Sequence, residues 1–293
     1  MKKFKKFLKV VFGLSLILGE IAFTRQKAEE VKAAGKVGRT LYVDPSSSVC
    51  SDTLPDTPYC TIQAAINDAS SGDTVYVLSS SHEDVVMPSD IYLVGAESYQ
   101  PVVQVKSVTV NKVGGGRGGV AYLMISNYNL QNPVNPVGDG LTINSGVTND
   151  FLVAECVISK SINGVVLNNS SPTLANNFIH SNSQNGIYSV GGTPRIFGRT
   201  STGKPADYNV SQSICDPAYT TGNPELTKGC VSMNGANGIL LENVPYNSND
   251  PNYYRNFILS DLRIYSNGQA GIKLVGASPW IANNMIDWNV YDG

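Results

Sequence analysis

Apolar couplets that follow a glycine recur along the chain: Leu141/Ile143 after Gly140, Val165/Leu167 after Gly164, Ile187 after Gly186, Ile239/Leu241 after Gly238 and Ile272/Leu274 after Gly271. Each couplet alternates as a short strand does; in the last, Ile272 and Leu274 point one way and Lys273 the other. The spacing is 22 residues from Gly164 to Gly186 and again from Gly271 to Gly293, and 24 from Gly140 to Gly164. The wider gaps, 52 residues from Gly186 to Gly238 and 33 from Gly238 to Gly271, fit coils that carry inserted loops. No stretch between residues 75 and 293 sustains a 3.6-residue apolar period, so the pattern predicts strands and turns rather than helices.

A repeat of about 22 residues is enough for one turn of a three-sided coil, with three strands of three to five residues joined by tight bends. Near-constant spacing of short strands predicts an all-β solenoid, not a sandwich or barrel. The phrase SPTLANNFIHSNSQNG, residues 171–186, returns as SPWIANNMIDWNVYDG at 278–293. Asn176 and Asn177 share a phase with Asn283 and Asn284, which predicts an asparagine ladder there, and the closing glycine is expected to turn the corner. His180 shares a phase with Asp287, which suggests a solvated turn position.

A solenoid must blunt its ends against edge pairing. Ile62, Ala65, Ile66 and Ala69 lie at helical spacing, Gly72 follows as a stop, and Thr74–Val77 begins strand alternation. These predict a short N-terminal helix capping the first coil. The stretch LYVDPSSS, then PYCTIQAAINDASSGDTVYVLSSS and VVMPSDIYLVG, followed by the Asn-Gly coils, resembles the N-terminal part of pectin-lyase-like proteins over roughly Leu41 to Gly293. The resemblance implies a right-handed parallel β-helix. Its members include polysaccharide lyases, hydrolases, esterases and epimerases as well as non-enzymatic surface proteins, and calcium is a cofactor it allows.

Residues 1–35 carry a lysine-rich start, an apolar run from about Phe7 to Leu18 and small residues at Ala33–Ala34, the order of a signal peptide. The run is broken by Lys9 and Glu20, and is shorter than the roughly 20 residues a membrane-spanning helix needs. The expected organisation is a signal peptide at 1–35, a cap segment and first strand at 36–78, and a β-helix at 79–293. Asp292-Gly293 holds the phase that opens a coil, so the sequence is expected to be cut from a longer one. A secreted or cell-surface location follows. Net charge is −2 and no basic block follows the N-terminus, which selects against nucleic acid or an anionic membrane and leaves a polysaccharide or cell-surface glycan as partner.

Five cysteines fit export: Cys50/Cys60 and Cys215/Cys230 bracket polar loops as disulfide candidates, with metal binding the alternative, and Cys156 lies in an apolar strand as a buried thiol. With only His82 and His180 and no Cys-x-x-Cys, a zinc site is not expected. Hydrolases and lyases of a polysaccharide need paired carboxylates, or a base with clustered acids. The outward columns do not provide such a pair: one reads Thr142, Val166, Tyr188, Leu240, Lys273, and the next Asn144, Asn168, Val190, Glu242, Val275. Glu242 and Lys273 on neighbouring coils, and Asp261 and Arg263 on one strand face, are weak catalytic candidates; surface ion pairs are the commoner outcome. GGGRGG at 114–119 reads as a loop between coils, and Tyr246, Tyr253 and Tyr254 in an inserted loop are candidates for stacking on sugar rings. Two functions remain, a carbohydrate-active or polysaccharide-binding β-helix, possessing lyase-like chemistry if an enzyme, and a non-enzymatic surface or adhesion module. A metal-insertion accessory role is disfavoured by two histidines and five methionines without a cluster.

Overall fold

Short alternating strands stack in register into three parallel sheets, one per side of each coil. The computed structural model describes residues 38–293 apart from 54–56, 97–102, 115–116, 199–228, 245–248, 250–252 and 292–293. Wall 1 has nine strands, from Thr40–Val43 through Leu152–Ala154 to Trp280–Ala282. Wall 2 has seven, from Asp84–Pro88 through Leu141–Ile143 to Ile272–Ala277, and holds every glycine-led couplet of the repeat. Wall 3 also has seven, from Gln104–Val105 through Phe178–His180 to Met285–Asp287. The chain visits walls 1, 3 and 2 in turn, so partners in a sheet come from successive coils; Leu141, Val165, Ile187, Ile239 and Ile272 pair in one column. This is a parallel β-helix, and the predicted phase is the observed one.

The inward columns form the core. Val105, Ile125, Ile158, Ile179, Val231 and Ile264 of wall 3 are all buried, as are Val75, Leu93, Val120, Val153, Leu174, Ile196 and Leu259 of wall 1. At the final described coil the same columns emerge: Leu274, Ile281 and Ile286 are 41%, 40% and 37% exposed. At the other end helix α1, Ile62–Asp68, lies against the first strands and buries Ile62, Ala65 and Ile66. Its N-terminus is closed by Thr61 and by outside carboxylates: Asp52 accepts from the amides of Cys60 and Thr61, and Glu83 from that of Ile62 at 2.8 Å. The helix ends at Ala69, already extended, so Gly72 is not its stop; Gly72 turns the chain at φ +87 into Thr74. Thr40–Val43 pairs with Thr74–Val77, so wall 1 begins one strand earlier than the sequence predicts.

Corners are turned by side-chain-bearing residues. Glu155, Asn176, Asp261 and Asn283 at the wall 1 to wall 3 bend, and Lys160, Ser181, Met233, Ser266 and Trp288 at the wall 3 to wall 2 bend, all have φ between 52 and 57. A left-handed residue of this kind costs about 1–2 kcal/mol, which Asn and Asp bear most readily. The first Asn of Ala-Asn-Asn is therefore a bend residue. The second is a bracket: the Asn177 Oδ1 accepts from the Cys156 amide while its Nδ2 donates to the Val153 carbonyl, and Asn284 repeats both bonds with Leu262 and Leu259. Gly229 and Leu262 stand between these two asparagines in the stack, so the ladder expected at this phrase is not there.

The ladders lie instead at the next bend. In one, Asn182 Nδ2 donates to Asn234 Oδ1, Asn234 to Asn267 and Asn267 to Asn289, each at 2.9 Å. In the other, Asn237 donates to Asn185, Asn185 to Asn163 and Asn163 to the Asp139 carboxylate, at 2.9, 3.0 and 2.9 Å. The first runs donor to acceptor toward the C-terminus and the second toward the N-terminus. The glycine after the second ladder is required by crowding, not by its backbone angles: a Cβ on Gly164 would lie 2.6 Å from the Gly186 carbonyl oxygen and 2.8 Å from Asn182 Nδ2. The end of GGGRGG is also wall rather than loop, since Gly119 opens a wall 1 strand and a Cβ on Gly118 would meet the carbonyl oxygens of Ser89 and Ile91 at 2.5 Å.

Candidate functional site on the third wall

Outward positions of wall 3 alternate with its core column, and the residues just past each short strand reach the same face. Gln104 opens the first strand, Tyr128 follows the second, Lys160 follows Val157–Ser159 and His180 closes Phe178–His180. His82 precedes them on the coil below, where Ser81 donates its amide to the Gln104 carbonyl. Gln104 Nε2 donates to Tyr128 Oη at 3.1 Å, the His82 ring lies 5.6 Å from that of Tyr128, and Lys160 Nζ sits 5.5 Å from the Tyr128 ring centroid. At roughly 4.8 Å per coil, the row from His82 to His180 extends about 19 Å along the stack. Ser126 and Ser159, hydrogen-bonded to each other and buried, form part of its floor.

Tyr128 owes its place to an excursion. The chain leaves the coil at Asn127, forms an antiparallel hairpin of Tyr128–Asn129 with Asn132–Pro136, and returns where the Val137 amide donates to the Asn127 carbonyl. Asn127 Nδ2 donates to the Asp139 carbonyl at 2.8 Å and pins the neck. Further along the same face Phe178 and Cys230 form a small apolar cluster with Val157 and Tyr265 outside the main core. The His180 ring stacks on Phe178 at 4.2 Å and 25°, and its Nδ1 lies 3.0 Å from Ser181 Oγ. Burial first, then the nearby Lys160 cation, pushes the His180 pKa down to about 4. A neutral imidazole at His180 therefore lies near the Lys160 side chain, which in turn sits over the Tyr128 ring, a set that can receive an anionic group and exchange a proton with it.

The residues singled out in the sequence fare differently. His180 is a partly buried strand residue, not a solvated turn, because Phe178 gives its ring an apolar surface; His180, Ser232, Tyr265 and Asp287 do form one column. Glu242 pairs with Val275 and Lys273 with Leu240, and the Glu242 carboxylate accepts from the Tyr188 hydroxyl at 3.0 Å instead of meeting Lys273. Asp261 is not on the strand face of Arg263: it is the left-handed bend before it, and Arg263 bonds Asp287 at 3.3 Å and lies over Tyr265. Tyr253 cannot stack on a sugar, since it is buried in helical turn α2, Tyr253–Asn256, donating its hydroxyl to the Val244 carbonyl and packing edge-on against Phe257. Tyr246 and the side chain of Tyr254 lie outside the described residues.

Cys50 and Cys60 are joined as a disulfide, and Cys156 is a buried free thiol raised to about 12 by burial. Cys230 is disulfide-bonded, while Cys215, its expected partner, lies outside the described residues, as do residues 1–35. Among the described residues no three His, Cys, Asp or Glu side chains come together as a group that could hold a metal ion. Gln104, Tyr128 and Lys160 were not visible as candidates. Their one signal is positional, the polar or aromatic residue next to each wall 3 strand, and it can be read only after the register is known.

No family model matches the chain, and no curated protein matches it. Among solved structures, the A-module of a mannuronan C-5 epimerase of Azotobacter vinelandii is 17% identical, over 78% of this chain and 71% of that one, with a TM-score of 0.36. An alginate lyase of a Paenibacillus species is 14% identical, over 87% of this chain and 98% of that one, with a TM-score of 0.26. Likenesses at this level carry no argument about the site; the fold rests on the strand register above.

Proposed function

We propose that the chain is an exported polysaccharide-binding β-helix whose ligand, an acidic polymer, lies along the outer face of wall 3. The observation that carries this is the row His82, Gln104, Tyr128, Lys160 and His180, in which aromatic, amide and cationic groups from successive coils share one face. A polymer running along the stack meets a new side chain every coil. Tyr128 supplies a ring with a polar tip, and Lys160 a charge for a carboxylate. The Cys50–Cys60 disulfide fits the oxidising compartment that an exported protein enters. If the protein turns its ligand over, neutral His180 or the Tyr128 phenol is the group placed to move a proton.

The test is binding of the purified protein to a panel of acidic and neutral polysaccharides, with unsaturated products and new reducing ends read in parallel. Acidic polymers are expected to bind and Lys160→Ala to weaken them about tenfold, the loss of one charge-assisted bond of about 1.5 kcal/mol. Equal binding by wild type and both Lys160→Ala and Tyr128→Ala would remove the site. Lack of binding to every polymer would favour the second reading, a surface or adhesion module, which the continuous seven- and nine-strand stacks and their asparagine ladders support as a stiff spacer.

A further inference from the structure

The sequence contains five Asn-Gly pairs, Asn163-Gly164, Asn185-Gly186, Asn234-Gly235, Asn237-Gly238 and Asn267-Gly268. All five asparagines are ladder members, and all are at most 8% exposed. Asn-Gly is the dipeptide most open to spontaneous deamidation, because a glycine leaves its own amide unshielded. In that reaction the glycine nitrogen attacks the asparagine Cγ, a C–N bond closes a five-membered imide, and the side-chain nitrogen leaves as ammonia. Water then opens the imide at either carbonyl, leaving aspartate or isoaspartate; the net change is amide plus water to acid plus ammonia. Both reacting groups must be free to meet.

Here neither is free. The attacking amides of Gly164, Gly186, Gly235, Gly238 and Gly268 donate to the carbonyls of Asn185, Asn237, Asn182, Ala270 and Asn234 on a neighbouring coil, at 2.7 to 3.0 Å. The leaving nitrogens donate along the ladders, to Asp139 Oδ1 from Asn163 and to a further asparagine oxygen from the other four. We infer that these five pairs are latent modification sites, held unreactive by the folded stack and released by its unfolding. Once converted, each would place a carboxylate where a ladder needs a donor, in a buried position without a cation, so the modified chain would not rebuild its coils. The fold thus sets a time limit on any excursion to the unfolded state, in keeping with the thermal lability of asparagine.

Native and urea-unfolded protein are incubated side by side at mildly alkaline pH, and peptides covering the five pairs are read by mass spectrometry for replacement of amide nitrogen by oxygen and for isoaspartate. Conversion at all five in urea, with at least a tenfold slower rate in the native sample, is the expected result. Asn67, followed by Asp68 on an exposed helix end, serves as an internal reference that should age slowly in both. Equal rates at the five pairs in native and unfolded protein would overturn the inference. Dilution from urea after short and long incubation adds a second readout: refolding should fall with the deamidated fraction, and a fully converted chain that refolds with an unchanged midpoint would equally overturn it.

Discussion

A methyl group on Gly186 would sit 2.7 Å from both the Gly238 carbonyl oxygen and Asn234 Nδ2, so Gly186→Ala must push two coils apart or break a ladder bond. We expect a loss of about 1–3 kcal/mol, seen as a lower urea midpoint. The opposite change is available at Ala270. Asn237 Oδ1 is buried without a partner because the coil above it offers Ala270 where the ladder calls for asparagine. Ala270→Asn should supply the missing donor and raise stability by about 1 kcal/mol, whereas Asn234→Ala, which strips the acceptor from both the amide and the Nδ2 of Asn182, should cost about 2–4 kcal/mol. His180 makes a pH prediction. Its pKa is depressed from 6.5 to about 4 in the fold, so the unfolded chain binds the extra proton first; stability holds above about pH 6.5 and falls as pH drops toward 4. Lys160 is the charged group acting on it. Urea midpoints across this window should show a shallower slope in His180→Asn than in wild type. Asparagine roles were only half legible at this scale: the phrase Ala-Asn-Asn advertises a ladder, yet its first Asn is spent on a left-handed bend and its second on bracketing backbone. Nothing in residue type separates those uses from the ladder asparagines Asn182 and Asn185, five and eight positions after Asn177.

Strand elements were the most legible part, because a core column needs an apolar residue at the same phase on every coil and the glycine before it has no room for a side chain. Thr40–Val43 escaped notice for the converse reason, lying before the helix and outside the repeat. Helix α1 was legible from its spacing, but its closure depends on Asp52 and Glu83, which reach it from outside the element. The Cys50–Cys60 bridge holds the Asp52 loop against that helix end. Cys50→Ser with Cys60→Ser should therefore cost about 3 kcal/mol by loop entropy, a calorimetric shift, with added fraying of α1 in amide exchange. Tyr253 shows where element-level reading fails: an aromatic in a polar insertion looks like a ligand platform, while α2 buries it against Phe257 with its hydroxyl on the Val244 carbonyl.

At the scale of the whole molecule, the candidate site was invisible in sequence because its residues are separated by a different number of positions at each coil: the hairpin at Tyr128–Pro136 lengthens one turn, so no fixed spacing links Gln104, Tyr128, Lys160 and His180. Only stacking brings them together. Binding variants should accordingly leave stability nearly untouched, and Tyr128→Ala is expected to lower affinity with a urea midpoint within the range of ordinary surface substitutions, about 0.5 kcal/mol. The open coil at Leu274, Ile281 and Ile286 belongs to the same scale, and an appended coil carrying the Asn-x-x-Asn-Gly phrase should bury those side chains and raise the midpoint. The two asparagine ladders bear on how such a stack can grow. Each row of side-chain amides is a file of aligned dipoles, and because one file points up the axis and the other down it, their fields oppose. Coils can then be added or removed without building a charge separation between the two ends.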